Sequence, residues 1–172
     1  MAGARLAHFN IPNWARHLLE PARQLGLTIA CDIQDVVDPI DPYRLDFIRQ
    51  ADYLFFSAVN HPDPQPLMEY FLSINPTQVI LATMGSNGCA LATVGEFSRY
   101  PAVQLDLPVV DTNGAGDAFA AGFLVSRVLQ GRGLEESVRR GQISARHKCA
   151  QRSSSANMIT PELLDHYDSM LR

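Results

Sequence analysis

A turn rich in glycine and carboxylate is the part of this sequence best suited to chemistry. Residues 111–117 read Asp-Thr-Asn-Gly-Ala-Gly-Asp, between an apolar run and a small-residue pattern that indicates a helix. Gly114 and Gly116 lack a Cβ, so a ligand can approach the main chain closely. The first N–H groups of a helix have no partner within it and carry the positive end of the helix dipole, so they attract anions. The spacing therefore predicts a phosphate site.

Three side chains around these glycines supply the functional groups. Thr112 and Asn113 can cap the helix through their side-chain oxygens. Asp117 falls in the first helical turn, where the dipole stabilises negative charge and a carboxylate can accept a proton from a hydroxyl. A second interpretation stays open from the spacing alone, because a lone glycine-rich turn is a weak signal. It is a tight strand-to-helix turn whose acidic residue only complements the helix dipole.

Composition and charge restrict the classes of protein to be considered. The chain has 172 residues, of which 47% are hydrophobic and 19% charged, as in ordinary globular proteins. The formal net charge of −4 argues against a general nucleic-acid binder. Residues 127–152 nevertheless hold seven basic side chains against Glu135 and Glu136 alone. We interpret this basic stretch as a solvated helix face; the alternative is a positive field that attracts a polyanion such as a nucleotide.

The cysteines, histidines and apolar runs predict a soluble cytoplasmic protein without a direct metal site. The three cysteines form no Cys-x-x-Cys pair, which favours free thiols in a reducing compartment. None of the five histidines has metal-ligand spacing. No apolar run reaches the length of a membrane span, and the N-terminus lacks the pattern of a secretory signal. We therefore expect neither a membrane nor a nucleic acid among its partners.

Strand and helix patterns alternate along most of the chain. Apolar, β-rich runs predict strands at residues 5–10, 27–33, 53–56 and 79–83, then a hairpin over 89–94 and 97–100. Other patterns predict helices at residues 11–25, 43–50, 67–73, 116–129, 134–149 and from 160 onward, with a polar loop at 152–155. The first of these helices has Pro12 in its first turn, a Gly-Arg-Gly break at 131–133 precedes the helix at 134–149, and Thr160 and Pro161 cap the last helix. This order predicts a single three-layer α/β/α domain over residues 1–172, built on a mostly parallel sheet. Ligands are expected at the carboxyl ends of its strands.

Two common nucleotide-binding motifs do not fit the glycine turn. A Walker A loop needs a lysine after its last glycine, and the only lysine of the chain, Lys148, falls in a predicted helix. The dinucleotide fingerprint needs a third glycine where this chain has Phe119. Glu135 and Glu136 stand at about the distance of a ribose-binding acid, but they open a helix and do not end a strand. What remains is phosphoryl transfer, in which the turn stabilises developing charge and Asp117 activates a hydroxyl.

Two motifs resemble those of the ribokinase/PfkB family of carbohydrate kinases. Residues 111–119 match every specified position of the family pattern Asp-Thr-x-Gly-Ala-Gly-Asp-x-Phe. Residues 83–88, Thr-Met-Gly-Ser-Asn-Gly, match the family's Thr-x-Gly-Ser-x-Gly turn, which lies against the nucleotide. The order of elements from about residue 5 to residue 160 is similar to the C-terminal, nucleotide-binding part of these kinases. The resemblance implies a ribokinase-like, Rossmann-like α/β fold.

The resemblance also implies a role for each matching position. Asp117 would be the catalytic base that deprotonates the acceptor hydroxyl, and ATP and Mg²⁺ would be the cofactors. The N–H groups of the turn would form an anion hole, and further residues would border the nucleotide. The anion-hole residues are Gly114, Ala115 and Gly116, and the nucleotide-bordering residues are Thr83, Gly85, Ser86, Gly88, Gly141, Ser144 and Ala145. Asp111 and Thr112 would lie on the substrate side or near a monovalent cation such as K⁺.

The sequence departs from the family pattern in three places. An Asn-x-x-Glu motif often follows the second strand of these kinases, whereas residues 57–60 here read Ser-Ala-Val-Asn. The family's Asp-Pro-Asn-x-Arg appears here, from Asp32, as Asp-Ile-Gln-Asp-Val, without the arginine. In the family, a glycine-rich sugar-binding signature, a substrate aspartate and a lid also precede the region corresponding to residue 5. We therefore expect either a missing N-terminal half or a homo-oligomer, since the strand at residues 5–10 would otherwise be an exposed edge.

Two hypotheses for the function follow. The first is ATP-dependent phosphoryl transfer to a hydroxyl of a sugar or sugar-like substrate. The second is a truncated pseudokinase, a nucleotide-binding or interaction module without turnover. A nicotinamide or flavin protein is disfavoured by the incomplete dinucleotide fingerprint. Binding of ATP without phosphorylation of any sugar or nucleoside would favour the second hypothesis.

Overall fold

The computed structural model describes residues 3–152 and 157–172, so most of the predicted polar loop at 152–155 lies outside the described residues. The chain divides into two compact units, residues 1–101 and 102–172. The first unit contains the sheet, and the second contains the glycine turn and the long helices.

The first unit is built on a mixed sheet of six strands that lie side by side in sequence order. β1 to β4 run parallel, and β5 and β6 continue the sheet as antiparallel neighbours. The strands are β1 Leu6–Phe9, β2 Thr28–Asp35, β3 Tyr53–Ser57, β4 Val79–Thr83, β5 Cys89–Thr93 and β6 Glu96–Tyr100. The predicted strands and the predicted hairpin are thus confirmed, with β1 at one edge of the sheet.

Three helices connect the parallel strands, and their apolar side chains pack with those of the strands to form the core of this unit. They are α1 Leu19–Gln24, α2 Pro42–Gln50 and α3 Gln65–Ile74. Crossovers between parallel strands are right-handed as a rule, so strands in sequence order receive all three helices on one face. The buried apolar side chains packed together in this core include Leu19, Ile29, Phe47, Phe56 and Phe71, each of which is at most 1% exposed.

The helix predicted over residues 11–25 is shorter than expected. A 3₁₀ turn spans Ala15–Leu18, and the α-helix starts only at Leu19. Proline lacks an N–H group, and its ring clashes with the carbonyl four residues earlier, so it is tolerated only in the first turn of a helix. Pro21 takes that place in α1, and Pro12 lies before both helical segments. The prediction was wrong because it placed Pro12, and not Pro21, in the first turn.

The second unit contains three long helices. α4 Ala115–Leu124 continues as a π-helical turn over Val125–Leu129, followed by α5 Leu134–Cys149 and α6 Pro161–Met170. The bounds predicted for α5 are confirmed, as is the Thr160 cap of α6, whose side chain accepts from the Leu163 N–H group.

The strand considered before the glycine turn is not present in the structure. Residues 102–114, all of which are described, contain no strand, and Val110 is 46% exposed. The Val110 N–H group instead donates to the Cys149 carbonyl oxygen over 2.7 Å. The segment before the turn is therefore held by the end of α5.

The basic stretch is only partly a solvated helix face, contrary to the prediction. Arg140 is 1% exposed, and its guanidinium lies 2.7 Å from an oxygen of Asp165 and 3.6 Å from one of Asp168. Arg139 donates to Asp168 over 2.7 Å, and Lys148 is 4% exposed. The carboxylates that pair with the two arginines belong to α6. Because their contact with α5 depends on tertiary packing, the local charge pattern did not predict it.

Candidate functional site

The glycine turn at residues 111–117 forms the start of α4. Asp111 Oδ1 accepts from the Asn113 N–H group at 2.9 Å, and the Ala115 N–H group donates to the Thr112 carbonyl at 3.1 Å. Gly114, with φ 78° and ψ 7°, takes the left-handed conformation that glycine adopts with little strain. These local bonds reverse the chain and start the helix at Ala115, one residue before the predicted start. The predicted capping by Thr112 and Asn113 was wrong, because the N-cap is Gly114 and no side chain caps the helix.

Asp117 lies exposed in the first turn of α4. Gly116 is exposed as well, and no described atom lies within 4 Å of the position that a Cβ on it would take. A helix N-terminus attracts a phosphate, because its first N–H groups have no partner within the helix and the positive end of the helix dipole lies there. The structure therefore places the Asp117 carboxylate next to an unobstructed helix N-terminus, and the binding of an anion there stays a prediction.

The C-terminal end of α5 forms hydrogen bonds with both the N–H group and the carbonyl group of Asp111. Its N–H group donates to the Cys149 carbonyl at 3.1 Å. Its carbonyl oxygen accepts from the Lys148 ammonium at 3.0 Å, and the same nitrogen lies 3.7 Å from Asp111 Oδ2. Sequence reasoning assigned no role to Lys148, and the only signal available was that it is the sole lysine of the chain.

The second predicted site, residues 83–88, forms the turn between β4 and β5 in the first unit. Gly85 (φ 58°) and Gly88 (φ 91°) both take positive φ values. The Met84 N–H group donates to the Gly88 carbonyl at 2.8 Å, which closes the turn. Gly85 and Ser86 are exposed, Thr83 is half-buried and Gly88 is buried. The turn thus presents two of its four predicted residues fully to solvent.

The register of the sheet brings other candidate residues next to Thr83. Ser57 pairs with Thr83 across β3 and β4, and Asp35 pairs with Ser57 across β2 and β3. Asp32 precedes an irregularity in β2, and its Oδ1 accepts from the Gln34 N–H group at 2.8 Å. The residues that depart from the family pattern therefore lie at the carboxyl end of the parallel strands, the usual ligand edge of such sheets.

The nucleotide-bordering residues predicted in α5 lie mainly at its contact with α4. A Cβ on Gly141 would stand 2.9 Å from the Phe119 carbonyl oxygen, so glycine is required for this approach. Ser144 is 3% exposed and donates to the Arg140 carbonyl at 3.0 Å. Ala145 is half-buried. Gly141 and Ser144 therefore serve helix packing in this structure, and their contact with a nucleotide stays a prediction.

A cavity of about 190 Å³ opens beside α4 and α5. Its lining is mainly apolar and includes Ala121 of α4, Val125 of the π-helical turn, Ser144 of α5 and Leu164 of α6. Drug-sized ligands usually occupy pockets of about 300 to 1,000 Å³. The cavity is below that range, so its size alone does not mark it as the nucleotide site.

Residues 3–152 and 157–172 contain neither a cluster of metal ligands nor a membrane-spanning helix. Within these ranges, no three His, Cys, Asp or Glu side chains come together in a way that could hold a metal ion. None of the helices described is long and apolar enough to cross a bilayer. None of the three cysteines, all of which are described, forms a disulfide, and Cys31 and Cys89 are buried.

Known proteins resemble both the sequence and the fold. The chain is 31% identical over 160 residues to the acarbose 7(IV)-phosphotransferase of Actinoplanes sp., covering 92% of this chain and 53% of that protein. It is 47% identical over 60 residues to adenosine kinase 1 of Arabidopsis thaliana, covering 34% of this chain and 17% of that protein. The solved structure of the microbiome-derived acarbose kinase Mak1 superimposes with a TM-score of 0.88 at 28% identity, over 96% of this chain and 56% of that one.

These similarities confirm the predicted ribokinase-like α/β fold. The chain spans about half the length of the acarbose 7(IV)-phosphotransferase and of the acarbose kinase. A family model described as pfkB family carbohydrate kinase matches residues 33–161, which include both glycine turns. The chain belongs to the PfkB family of carbohydrate kinases.

Proposed function

We propose that this chain is the nucleotide-binding and catalytic part of a kinase that transfers the γ-phosphoryl group of ATP to a hydroxyl of a carbohydrate or nucleoside. The observation that carries the proposal is the exposed Asp117 in the first turn of α4, beside the open Gly116. Phosphoryl transfer to a hydroxyl needs a base next to a site that stabilises charge. Family membership, and relatives named for acarbose and adenosine, support this class of substrate.

The residues of the two turns have distinct roles in this proposal. Asp117 accepts the proton of the acceptor hydroxyl, and the start of α4 binds the transferred phosphoryl group. Of the predicted anion-hole residues, Ala115 already donates its N–H group to the Thr112 carbonyl oxygen, so Gly114 and Gly116 are the proposed donors. The exposed Gly85 and Ser86 border the nucleotide. A Cβ on Gly85 would meet no described atom within 4 Å, which fits a close approach of phosphate to the main chain.

When bound, ATP would supply the phosphoryl group and Mg²⁺ would neutralise part of its charge. Kinases of this family use ATP, generally with Mg²⁺. Mg²⁺ usually keeps several waters and is bound by one or two carboxylates plus substrate phosphates. A preformed cluster of acidic side chains is therefore not required of the protein.

The test is Asp117→Asn, which keeps the shape of the side chain and removes the base. Turnover with a panel of sugars and nucleosides should fall by about 10²–10⁴-fold, the usual contribution of a general base. The dissociation constant for ATP, measured by calorimetry, should change little. Asp106→Asn is the matched control, because Asp106 is an exposed aspartate of the same unit outside the turn.

The outcomes separate the two hypotheses. Near-normal turnover of Asp117→Asn would exclude Asp117 as the base. If the chain binds ATP and phosphorylates no member of the panel, the nucleotide-binding module without turnover becomes the better description. Failure to bind ATP at all would contradict both the kinase and the nucleotide-binding module and would favour an interaction module.

A further inference from the structure

Lys148 is a buried cation that the proposed chemistry does not use. It is the only lysine of the sequence and is 4% exposed. Burial of an ammonium group is costly unless its charge and its hydrogen bonds are satisfied. An arginine or a neutral residue would be the more usual choice at a buried helix position. The contacts of its Nζ therefore indicate what it stabilises.

The ammonium group binds two oxygens of the residue that starts the glycine turn. Nζ lies 3.0 Å from the Asp111 carbonyl oxygen and 3.7 Å from Asp111 Oδ2. The other carboxylate oxygen, Oδ1, accepts from the Asn113 N–H group inside the turn. Lys148 thus contacts both the main chain and the side chain of Asp111, and the side chain in turn shapes the next two residues.

The neighbouring residue of α5 completes this attachment. The Cys149 carbonyl oxygen accepts from the N–H groups of both Val110 and Asp111. The peptide before Asp111 is therefore held by Cys149, and the peptide after it by Lys148. Gly114, where the chain turns into α4, is only three residues further along. A shift of Asp111 would move the N–H groups at the start of α4.

We propose that Lys148 is a positioning residue for the phosphate turn, taking at Asp111 the place that a bound monovalent cation would otherwise need. This inference rests on the proposed function, since it assigns how the anion site is kept in shape. An ammonium group and a free cation such as K⁺ seek the same carbonyl and carboxylate oxygens. The chain therefore keeps its turn ordered without added K⁺.

Amide hydrogen exchange of the nucleotide-free protein tests the inference directly. Asn113, Ala115 and Ala118 have N–H groups with acceptors inside the turn, at Asp111, Thr112 and Gly114. In Lys148→Met, which keeps an unbranched side chain without its charge, these amides should exchange about tenfold faster or more. Added K⁺ or methylammonium, compared with choline at equal ionic strength, should restore part of the protection.

Arg146→Met is the matched control, because Arg146 lies in the same helix and donates to the carbonyls of residues 105, 107 and 108, not to Asp111. It should leave exchange of the three turn amides unchanged. Equal exchange in Lys148→Met and wild type would overturn the inference. So would a loss of protection in Lys148→Met that no monovalent cation reduces.

Wild-type protein gives a test that does not depend on folding of the variant. Exchange of the turn amides and the dissociation constant for ATP should be the same in K⁺ and in choline. An increase in protection or in ATP affinity on addition of K⁺ would show that the cation site is not taken by Lys148. Amide exchange is measured without nucleotide, so its result does not depend on whether the protein is a kinase. Failure of the kinase hypothesis is seen in turnover, and failure of this inference is seen in the exchange of the turn amides.

Discussion

Gly122→Ala should destabilise the protein, although alanine is the better helix former. A Cβ at Gly122 would lie 2.3 Å from Ser144 Oγ, 2.8 Å from Ser144 Cβ and 3.0 Å from the Arg140 carbonyl oxygen. The hydroxyl can rotate away, but the other two atoms move only if α4 and α5 separate. Overpacking of this kind costs about 1–3 kcal/mol, against a gain of about 1 kcal/mol in helix propensity. We expect the free energy of unfolding to fall by up to about 2 kcal/mol.

The assay is thermal and urea unfolding followed by circular dichroism. For a chain of this size, each kcal/mol lowers Tm by about 2–4 °C. Gly116→Ala is the control in the same helix, because its Cβ would meet no described atom within 4 Å. It should be neutral or stabilising by up to about 1 kcal/mol.

A second substitution identifies the source of the effect. Ser144→Gly removes both side-chain atoms that the new methyl would meet, so Gly122→Ala should cost less in that background than in wild type. If Gly122→Ala is as stable as wild type, or if the cost is the same with Ser144→Gly, the close approach of α4 and α5 is not what requires glycine.

Two further predictions concern ionisation. Burial raises the pKa of Asp168, but hydrogen bonds from Arg139 and Arg172 and their charges outweigh burial and hold its pKa below the ordinary 3.8. The stability that this carboxylate contributes is present above its ordinary pKa and is lost as pH falls through the lowered one. Urea unfolding from about pH 6 down to pH 2 should show a weaker loss of stability in Asp168→Asn than in wild type, and equal slopes would contradict the argument. Burial, followed by the charge of Asp52, raises the pKa of the Cys31 thiol, so alkylation near neutral pH, read by mass spectrometry, should modify the half-buried Cys149 first. Labelling of Cys31 in the folded protein at the rate of Cys149 would refute this.

Local signals predicted much of the fold correctly. The bounds of α5 followed from a glycine break at its start, and α6 from Thr160 and Pro161 at its cap. The hairpin of β5 and β6 followed from Gly95 between two β-rich runs. The start of the helix at 11–25 was predicted wrongly, because either Pro12 or Pro21 can occupy the first turn of a helix. The spacing alone does not say which of the two does so.

The sequence by itself determined the glycine turn and the family. Both depend on residues within a few positions of one another, whose bonds, such as Asn113 to Asp111 and Ala115 to Thr112, form inside the turn. Only the tertiary structure decided that Lys148 is buried against Asp111, that Arg140 pairs with α6, and that Gly122 lies against Ser144. Those contacts join residues far apart in the chain, and the energy of a buried charge or a close helix crossing depends on which element packs there.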